Sequence, residues 1–435
     1  MIRRVVASGH VVVLALGVLV TGCGGASVTS TPSPIVGRTA GSPTAAPGVV
    51  LPATPRPVVG LTWATAPDVE RPTDAFAGAA APGATPAGPG TAGHPGHFPG
   101  QAIVAEVAAT PAGFVAVGYV GVEGRWTAIA WVSTDALHWS LAPIDTTTGS
   151  FAEAVVDGPS GLVAVGRAGP DPAAWTSPDG RAWTRRTVPT LSDGAEWERM
   201  TAVIRTGRGF LAGGSAGPEL GDRHARLWHS PDGTTWTPVP DDPSFAGAEV
   251  SALLSDAAGA IALGRTGTGQ RWTGSVAWSS TDGLHWRDAD PGGALRAGLA
   301  VAATTVPDGS LVAVGSDLDE REAVAWRSTD RSTWVRAPTE ASRLHAGEKI
   351  RMTDVVTLGD ELVAVGNYVG VQFGTGASWT SRDGLSWTMG PDQPALGQVE
   401  FEALVAGGPG LVAVGSFGAP DNYIPRILLS PDLGR

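Results

Sequence analysis

Six charged residues with regular spacing are the strongest candidates for binding chemistry in this chain. They lie 15 or 13 positions before a glycine that ends a recurring apolar phrase, as Arg199 does before Gly214. Guanidinium groups bind carboxylates, and paired carboxyl groups exchange protons with substrates. The interpretation we favour is that these groups solvate a channel and pair with one another. The alternative is that they line a ligand pocket at the mouth of that channel. The six are Arg199, Arg351, Glu153, Glu249, Glu400 and Glu402.

A second set of candidates lies in segments that vary in length and composition from repeat to repeat. Variable loops are where binding residues concentrate, and tyrosine, arginine and tryptophan are well suited to hold a ligand. The chain has only three tyrosines, and all of them fall in these segments. The segments are 119–126, 217–226, 265–272, 317–322, 367–376 and 417–425, and the candidates in or beside them are Tyr119, Tyr368, Tyr423, Arg167 and Arg265.

Several kinds of chemistry find no support in the sequence. Cys23 is the only cysteine, which excludes disulfides and cysteine metal sites within the chain. The repeated glycines lack the lysine and the helix of a phosphate-binding loop. His94 and His97 lie three residues apart, but their glycine- and proline-rich surroundings do not favour a metal site. We expect no cofactor and no metal, and a formal charge of −12 argues against nucleic acid as a partner.

An internal repeat places these candidates on predicted strands and loops. A phrase close to Gly-Leu-Val-Ala-Val-Gly recurs seven times at intervals of 48–51 residues. Each phrase and the segment before it alternate apolar and small residues around a short turn, which predicts a hairpin. A second hairpin follows in each repeat, so that one repeat holds four strands. The final glycines of the phrase are Gly118, Gly166, Gly214, Gly264, Gly315, Gly366 and Gly415.

The repeat therefore predicts an all-β fold, a seven-bladed β-propeller of four-stranded antiparallel blades. In this strand order the variable segments share one face of the ring with the connections between blades. The positions 15 and 13 residues before each glycine are predicted to share one face of the innermost strand. In the fifth repeat these positions are Ala300 and Ala302.

The second hairpin of each repeat carries a tryptophan and a polar turn. One copy reads Trp175-Thr-Ser-Pro-Asp-Gly-Arg-Ala-Trp183, and the serine, aspartate and glycine are residues that tight turns require. Some copies differ, since Ala136 and Arg331 stand where glycine is usual. The tryptophans are predicted to pack between neighbouring blades. The residues assigned to this structural role are Asp135, Asp179, Asp232, Asp282, Asp330, Asp383 and Asp432, with Trp63, Trp139, Trp183, Trp236, Trp286, Trp334 and Trp387.

This turn resembles the Asp-box, or BNR repeat, of the sialidase-like β-propeller superfamily, although most copies here are one residue shorter. The resemblance implies the propeller fold and raises the question of sialidase chemistry. Sialidases as a family use three arginines, a tyrosine nucleophile assisted by a glutamate, and an aspartate as acid/base. The chain has no Arg-Ile-Pro segment in an early blade. We therefore expect a binding or scaffolding module for a protein, glycan or small ligand on the variable-loop face. The alternative is an exo-sialidase or another glycoside hydrolase.

The seventh repeat has no recognisable fourth strand after Ser430, and a matching segment lies near the N-terminus. Gly60-Leu-Thr-Trp63-Ala-Thr-Ala-Pro-Asp68 matches residues 384–392 of the sixth repeat nearly position for position. Residues 58–66 are therefore predicted to form the outer strand of the last blade, which closes the ring. Residues 69–100, rich in proline, glycine and alanine, are predicted to form a loop after it.

The N-terminus reads as an export signal followed by a tether. Arg3 and Arg4 precede an apolar run too short to span a bilayer, and residues 20–23 resemble the lipobox of bacterial lipoproteins. This predicts a signal peptide over 1–22, lipid attachment at Cys23, and a disordered Pro/Ser/Thr-rich tether over 23–57. The propeller would then occupy 58–435, held by lipid at the outer face of the bacterial cytoplasmic membrane.

Overall fold

The computed structural model describes residues 61–72, 101–122, 125–191, 197–218, 222–268, 271–337, 349–369, 374–397, 399–408, 410–417 and 423–431. These residues belong to one compact unit, Val59–Arg435. The predicted signal peptide, lipid-attachment site Cys23 and tether lie outside the described residues. So do His94, His97, Asp432 and residues 73–100 of the predicted loop. Among the described residues, no helix is long and apolar enough to cross a membrane.

The strands form seven sheets, each an antiparallel blade whose first strand is the innermost one. Two short strands precede the blades, β1 (Ala64–Thr65) and β2 (Asp68–Val69). Blade one holds β3 (Gln101–Thr110), β4 (Gly113–Val122), β5 (Arg125–Ser133) and β6 (His138–Asp145). Blade two holds β7 (Ser150–Gly158), β8 (Gly161–Ala168), β9 (Asp171–Ser177) and β10 (Thr184–Arg186). Blade three holds β11 (Trp197–Thr206), β12 (Gly209–Gly217), β13 (His224–Ser230) and β14 (Thr237–Pro238).

The remaining blades repeat this order. Blade four holds β15 (Ala248–Asp256), β16 (Gly259–Thr268), β17 (Arg271–Ser280) and β18 (Arg287–Asp288). Blade five holds β19 (Gly298–Thr305), β20 (Leu311–Asp317), β21 (Ala323–Ser328) and β22 (Val335–Ala337). Blade six holds β23 (Lys349–Leu358), β24 (Glu361–Val369), β25 (Gly374–Ser381) and β26 (Thr388–Met389). Blade seven holds β27 (Val399–Gly407), β28 (Gly410–Phe417) and β29 (Ile424–Ser430). Three short 3-10 helices lie before blades four, five and seven, at Pro243–Phe245, Ala294–Ala297 and Pro394–Leu396.

The core of the protein lies between blades. Both faces of each central strand are buried, so that strand sequences such as Leu-Val-Ala-Val run almost continuously apolar. Tryptophans of the third strands fill the spaces between sheets. Trp175 is fully buried among residues of blades one and two, including Val117 and Ala130. The architecture predicted from the repeat is therefore confirmed as a seven-bladed β-propeller.

In blades one to six, the turn after the third strand is held by its serine and aspartate. In blade two, Ser177 Oγ accepts a bond from the Gly180 amide at 2.8 Å, and the Asp179 carboxylate accepts from two further amides. These bonds hold the pKa of Asp179 below its usual range. Ala136 and Arg331, which replace the glycine, keep its left-handed backbone with φ of 64° and 66°. The turn geometry therefore survives where the sequence pattern does not.

The strand near the N-terminus closes the ring as predicted. In β1, Ala64 pairs with Leu429 and Thr65 with Leu428, which makes β1 the outer strand of blade seven. Trp63 is buried against Phe401, with ring centroids 5.9 Å apart, and its Nε1 lies 3.2 Å from Ser378 Oγ in blade six. Of the predicted strand 58–66, residues 58–60 lie outside the described part.

The chain then pairs with a second blade, which the sequence did not predict. Asp68 and Val69 form β2, which runs parallel to β6 and makes blade one five-stranded. The Trp131 indole donates to the Glu70 carbonyl at 3.1 Å. Val69 thus lies in a strand and not in the predicted loop 69–100. A two-residue pairing is too short to leave a periodicity in the sequence. We call residues 61–71 the closing segment, because they join blades six, seven and one.

Blade five departs from the predicted register by one residue. Ala300 pairs with the repeat glycine Gly315 itself, whereas Arg199 in blade three pairs with the residue after its glycine. The turn between β19 and β20 is longer than its counterparts, which changes the residue count between strand and glycine. A one-residue shift exchanges the two faces of a strand. Leu299 and Val301 therefore occupy the positions predicted for Ala300 and Ala302.

The burial of Trp63 gives a direct test of closure. We expect Trp63→Ala to lower the free energy of unfolding by about 3–5 kcal/mol, because it empties a space between blades six and seven. Trp63→Phe retains most of the packing and loses one hydrogen bond, so we expect a loss nearer 1 kcal/mol. Urea denaturation followed by tryptophan fluorescence measures both. Wild-type stability of Trp63→Ala would show that this segment does not hold the ring closed.

Candidate functional site

Three arginines converge on one buried glutamate between blades three and four. Glu249 is 0% exposed. Its carboxylate accepts bonds from Arg199, from Arg223 at 2.9 Å and from Arg265 at 3.1 Å. Ser215 Oγ also donates to it, at 3.0 Å. We call Glu249 and the three arginines the arginine cluster.

Strand register explains how this cluster assembles. Glu249 and Arg265 are cross-strand partners in blade four, and Arg199 and Ser215 are cross-strand partners in blade three. Side chains at such paired positions point to the same side of a sheet. The blade-three pair therefore reaches Glu249 in the next blade. Arg223 precedes β13, in the connection between the second and third strands. The cluster thus lies at the end of the ring that carries the variable connections, which we call the loop face.

The charges within the cluster act strongly on one another. Burial works to raise the pKa of Glu249, but the guanidinium groups of Arg199, Arg265 and Arg223 outweigh it and bring that pKa to about 2. Burial lowers the pKa of Arg265, with the other two arginines adding to the effect. Glu249 is therefore ionised throughout the physiological range, and three cations share it.

Aromatic rings stack on arginines in and beside the arginine cluster. The Trp272 ring lies 4.4 Å from the Arg265 guanidinium carbon and 4.9 Å from that of Arg223. The Arg167 guanidinium lies over both Phe151, at 3.9 Å, and Trp197, at 4.6 Å. Trp197 is 38% exposed. Guanidinium groups stacked on aromatic faces are held in fixed orientations.

A second group of charges lies between blades five and six. Glu320, in the connection between the second and third strands of blade five, binds Lys349 at 2.6 Å and Arg351 at 3.3 Å. Burial opposes ionisation of Glu320, but Arg351 and Lys349 hold its pKa below the usual range. Arg351 thus has its counter-charge in a residue that the sequence had not singled out.

The three tyrosines occupy different environments. Tyr119 is 0% exposed and packs against Trp126 and Phe151. Tyr368 donates to Asp392 at 3.2 Å. Burial raises the pKa of Tyr423 to about 12, and Glu400 and Glu402 add to the shift. Tyr119 is therefore inaccessible to a ligand, and the raised pKa of Tyr423 disfavours its ionisation.

Carboxyl groups also occupy the innermost strands. Burial raises the pKa of Glu153, while Arg199 and Arg167 oppose the shift. Glu106 and Asp354, which the sequence reading missed, are half-buried. Burial raises the pKa of Glu106 to about 8, with Asp354 adding to the shift, and burial raises the pKa of Asp354 to about 7. A β-bulge lies just before each of these two residues, so strict alternation does not predict their direction.

The structure thus pairs or groups most of the predicted residues, but not in one place. Arg199, Arg265 and Glu249 belong to the arginine cluster. Arg167 is stacked apart from Glu249, and Arg351 lies with Glu320 near Tyr423, Glu400 and Glu402. Within the described residues, no group of three or more histidine, cysteine or acidic side chains is arranged to hold a metal ion.

Comparison with known proteins adds no closer identification. No protein-family model matches the chain, and no curated protein matches it. A protein of unknown function from Dyadobacter fermentans has 13% identity and a TM-score of 0.45, over 76% of this chain and 95% of that one. A Trypanosoma rangeli sialidase in complex with sialic acid has 14% identity and a TM-score of 0.43, over 78% of this chain and 55% of that one.

Glycoside hydrolases of another family also resemble the fold. A thermostable family-43 glycoside hydrolase has 11% identity and a TM-score of 0.34, over 52% of this chain and 86% of that one. The structural neighbours thus include sialidase and family-43 propellers. The chain spans about half the length of the sialidase that it resembles. Identities this low assign no activity to the chain.

The cluster geometry predicts a large effect of neutralising its carboxylate. Glu249→Gln leaves three guanidinium groups together without their shared negative charge. We expect the free energy of unfolding to fall by about 3–5 kcal/mol. The matched control is Glu322→Gln, whose partner pair with Arg336 is exposed and is expected to contribute less than about 1 kcal/mol. Urea denaturation at neutral pH compares them, and equal effects would mean that the cluster adds nothing to stability.

Proposed function

We propose that this chain is a ligand-binding β-propeller that takes an anionic ligand at the arginine cluster on its loop face. The observation that carries the proposal is the arrangement of Arg265. Its Nε is buried and has no hydrogen-bond partner among the described residues. Its Nη2 shares Glu249 with Arg199 and Arg223. A buried donor without an acceptor is costly, and an incoming oxyanion supplies the acceptor.

Charge and shape support the same class of ligand. Within the cluster, three guanidinium groups face one carboxylate, in a chain whose formal charge is −12. This local excess of positive charge favours an anion at that point. Trp272 and the exposed ring of Trp197 offer flat apolar surfaces nearby. Sugar acids combine a carboxylate with an apolar ring face, and they suit such a site.

The alternative, an exo-sialidase or another glycoside hydrolase, has less support. A tyrosine nucleophile needs access and a lowered pKa. Tyr119 is fully buried, and the pKa of Tyr423 is raised to about 12. We also propose that the outer turns belong to the Asp-box class, which bears on the fold and not on activity.

Binding to the cluster is testable with a matched pair of sugars. We expect isothermal titration calorimetry to detect glucuronic acid and not glucose, which differ only in the carboxylate. Arg223→Ala and Trp272→Ala are each expected to weaken binding at least about tenfold, the loss of one charge-assisted contact or one stacking surface. Arg336→Ala, an exposed arginine of blade five, is the control.

Two outcomes would contradict the proposal of an anionic ligand bound without turnover. No binding of glucuronic acid or of inorganic sulfate would overturn the anionic-ligand proposal. Turnover of a fluorogenic sialoside or glucuronide that is lost on replacing one tyrosine would favour the hydrolase instead.

We further propose that the propeller is a lipoprotein, anchored through Cys23 at the outer face of the bacterial cytoplasmic membrane. The support is the order of Arg3, Arg4, a short apolar run and small residues directly before the single cysteine. Two acyl chains on one residue suffice for stable anchoring. The tether over 23–57 would hold the binding face away from the bilayer.

The anchor predicts a specific labelling result. Cells that express the full chain and are fed a radiolabelled fatty acid should yield a labelled protein in the membrane fraction. Cys23→Ser should abolish both label and membrane association, because the thiol is the acceptor. Ser27→Ala, four residues further along, is the control and should retain both. Label that persists in Cys23→Ser would show that attachment occurs elsewhere.

A further inference from the structure

Two carboxyl groups interrupt a ring of alanines around the propeller. The residue after the inner-strand bulge is alanine in five blades, but it is Glu106 in blade one and Asp354 in blade six. Alanine at this position leaves room beside the innermost strands. The five alanines are Ala154, Ala202, Ala252, Ala302 and Ala403.

These carboxyl groups flank blade seven, the blade that closes the ring. Asp354 reaches into it directly, since its Oδ2 accepts a bond from the Leu404 amide of β27 at 2.7 Å. Its Oδ1 accepts from the Val355 amide, also at 2.7 Å. Glu106 lies on β3, the inner strand on the other side of β27, and accepts from the Val107 amide at 2.9 Å. Ala403 holds the equivalent position in blade seven, which lies between blades six and one.

Blade seven is also where the structure depends on distant parts of the chain. Its outer strand β1 comes from the closing segment, and the other three strands come from the last part of the chain. The Gln393 side chain bonds that segment twice: its Nε2 donates to the Leu61 carbonyl at 2.7 Å, and its Oε1 accepts from the Trp63 amide at 2.8 Å. Repulsion between charged groups of blades six and one therefore acts on a blade whose outer strand is not joined to its neighbouring strand by a turn.

Burial is the main cause of the raised pKa of both carboxyl groups. Asp354 is the one charged residue that shifts the pKa of Glu106, and burial and backbone bonds account for the pKa of Asp354. Other titratable groups lie on β3, β23 and the strands packed against them. They are Tyr119, Glu153, Asp157, Asp317, Arg327, Lys349, Arg351, Glu361, Tyr368, Glu400, Glu402 and Arg426.

We propose that Glu106 and Asp354 make the closing joint sensitive to protons, so that blade seven is held most firmly when at least one of the two carboxyl groups is protonated. At higher pH both are ionised, and they repel each other across Ala403. This pair of carboxyl groups is separate from the arginine cluster, and its effect does not depend on the proposed ligand.

The direction of the pH effect follows from linkage. Both groups have a higher pKa in the closed ring than in an open one, where they are solvated, so opening releases protons. Their stabilising effect is complete below the ordinary carboxyl range near pH 4. It is lost as pH rises towards about 8 and changes little above that.

Hydrogen–deuterium exchange at pH 5.5 and 8.5 tests the proposal on the full chain. Exchange rates of amides in β1, β27 and β29, divided by intrinsic rates, are compared with those of β11 and β15 on the opposite side. We expect protection of the closing blade relative to the reference strands to fall about 10- to 100-fold between the two pH values. Glu106→Gln should reduce that fall, and Glu106→Gln with Asp354→Asn should abolish it.

The control is Glu153→Gln, which changes the unpaired residue of the blade-two bulge, beside Arg199 and Arg167, and it should behave as wild type. An equal loss of protection in all blades would overturn the proposal. So would a blade-seven effect that persists in the double variant. If the double variant does not fold, an unchanged pH effect in Glu106→Gln alone is the overturning result.

Discussion

Burial of both faces of every blade is the constraint on which this structure depends. A four-stranded sheet with Leu-Val-Ala-Val in its centre cannot stand alone in water, because each face exposes apolar surface. Each blade therefore needs two neighbours, and seven blades satisfy this only if the last meets the first. The buried tryptophans between blades, such as Trp175 and Trp228, contribute to six such joints in the same way. The seventh joint differs, because the closing segment must be brought from the other end of the propeller chain.

The closing segment meets that need by contacts of several kinds. Trp63 fills space between blades six and seven, β1 supplies backbone pairing to β29, and β2 pairs with blade one. Pairing to two successive blades fixes both sides of the joint with fewer than a dozen residues. The Glu70 contacts to Trp131 and Leu141 then fasten the segment to blade one. Closure is thus distributed, and no one strand pair carries it.

The architecture could be predicted from the sequence because the residues that recur are the ones that packing and turn geometry require in every blade. The inner hairpin, the Ser-x-Asp turn and the outer tryptophan recur since each blade solves the same packing problem. Contacts between residues of different blades could not be predicted from the sequence. Glu320 and Arg223 find their partners across blade boundaries, and no local pattern announces such pairs. Strand β2 was missed because two paired residues leave no period. Blade five was misregistered because a longer turn shifts the count from its glycine by one.

The inner-strand bulge explains both what was predicted and what was missed in the candidate site. Before the bulge, alternation holds, and Arg199 and Glu249 were recognised as sharing one direction. At the bulge one residue is unpaired, so the next residue no longer follows the simple alternation, and Glu106 and Asp354 escaped notice. The same irregularity, repeated in seven blades, gives the ring a level of equivalent positions where small side chains pack into the core between sheets. Five blades hold alanine there. Burying a carboxyl group is costly, and here backbone amides beside the bulge offset part of that cost by donating to Glu106 and Asp354. The two blades that flank the joint therefore carry ionisable groups where the other blades carry alanine.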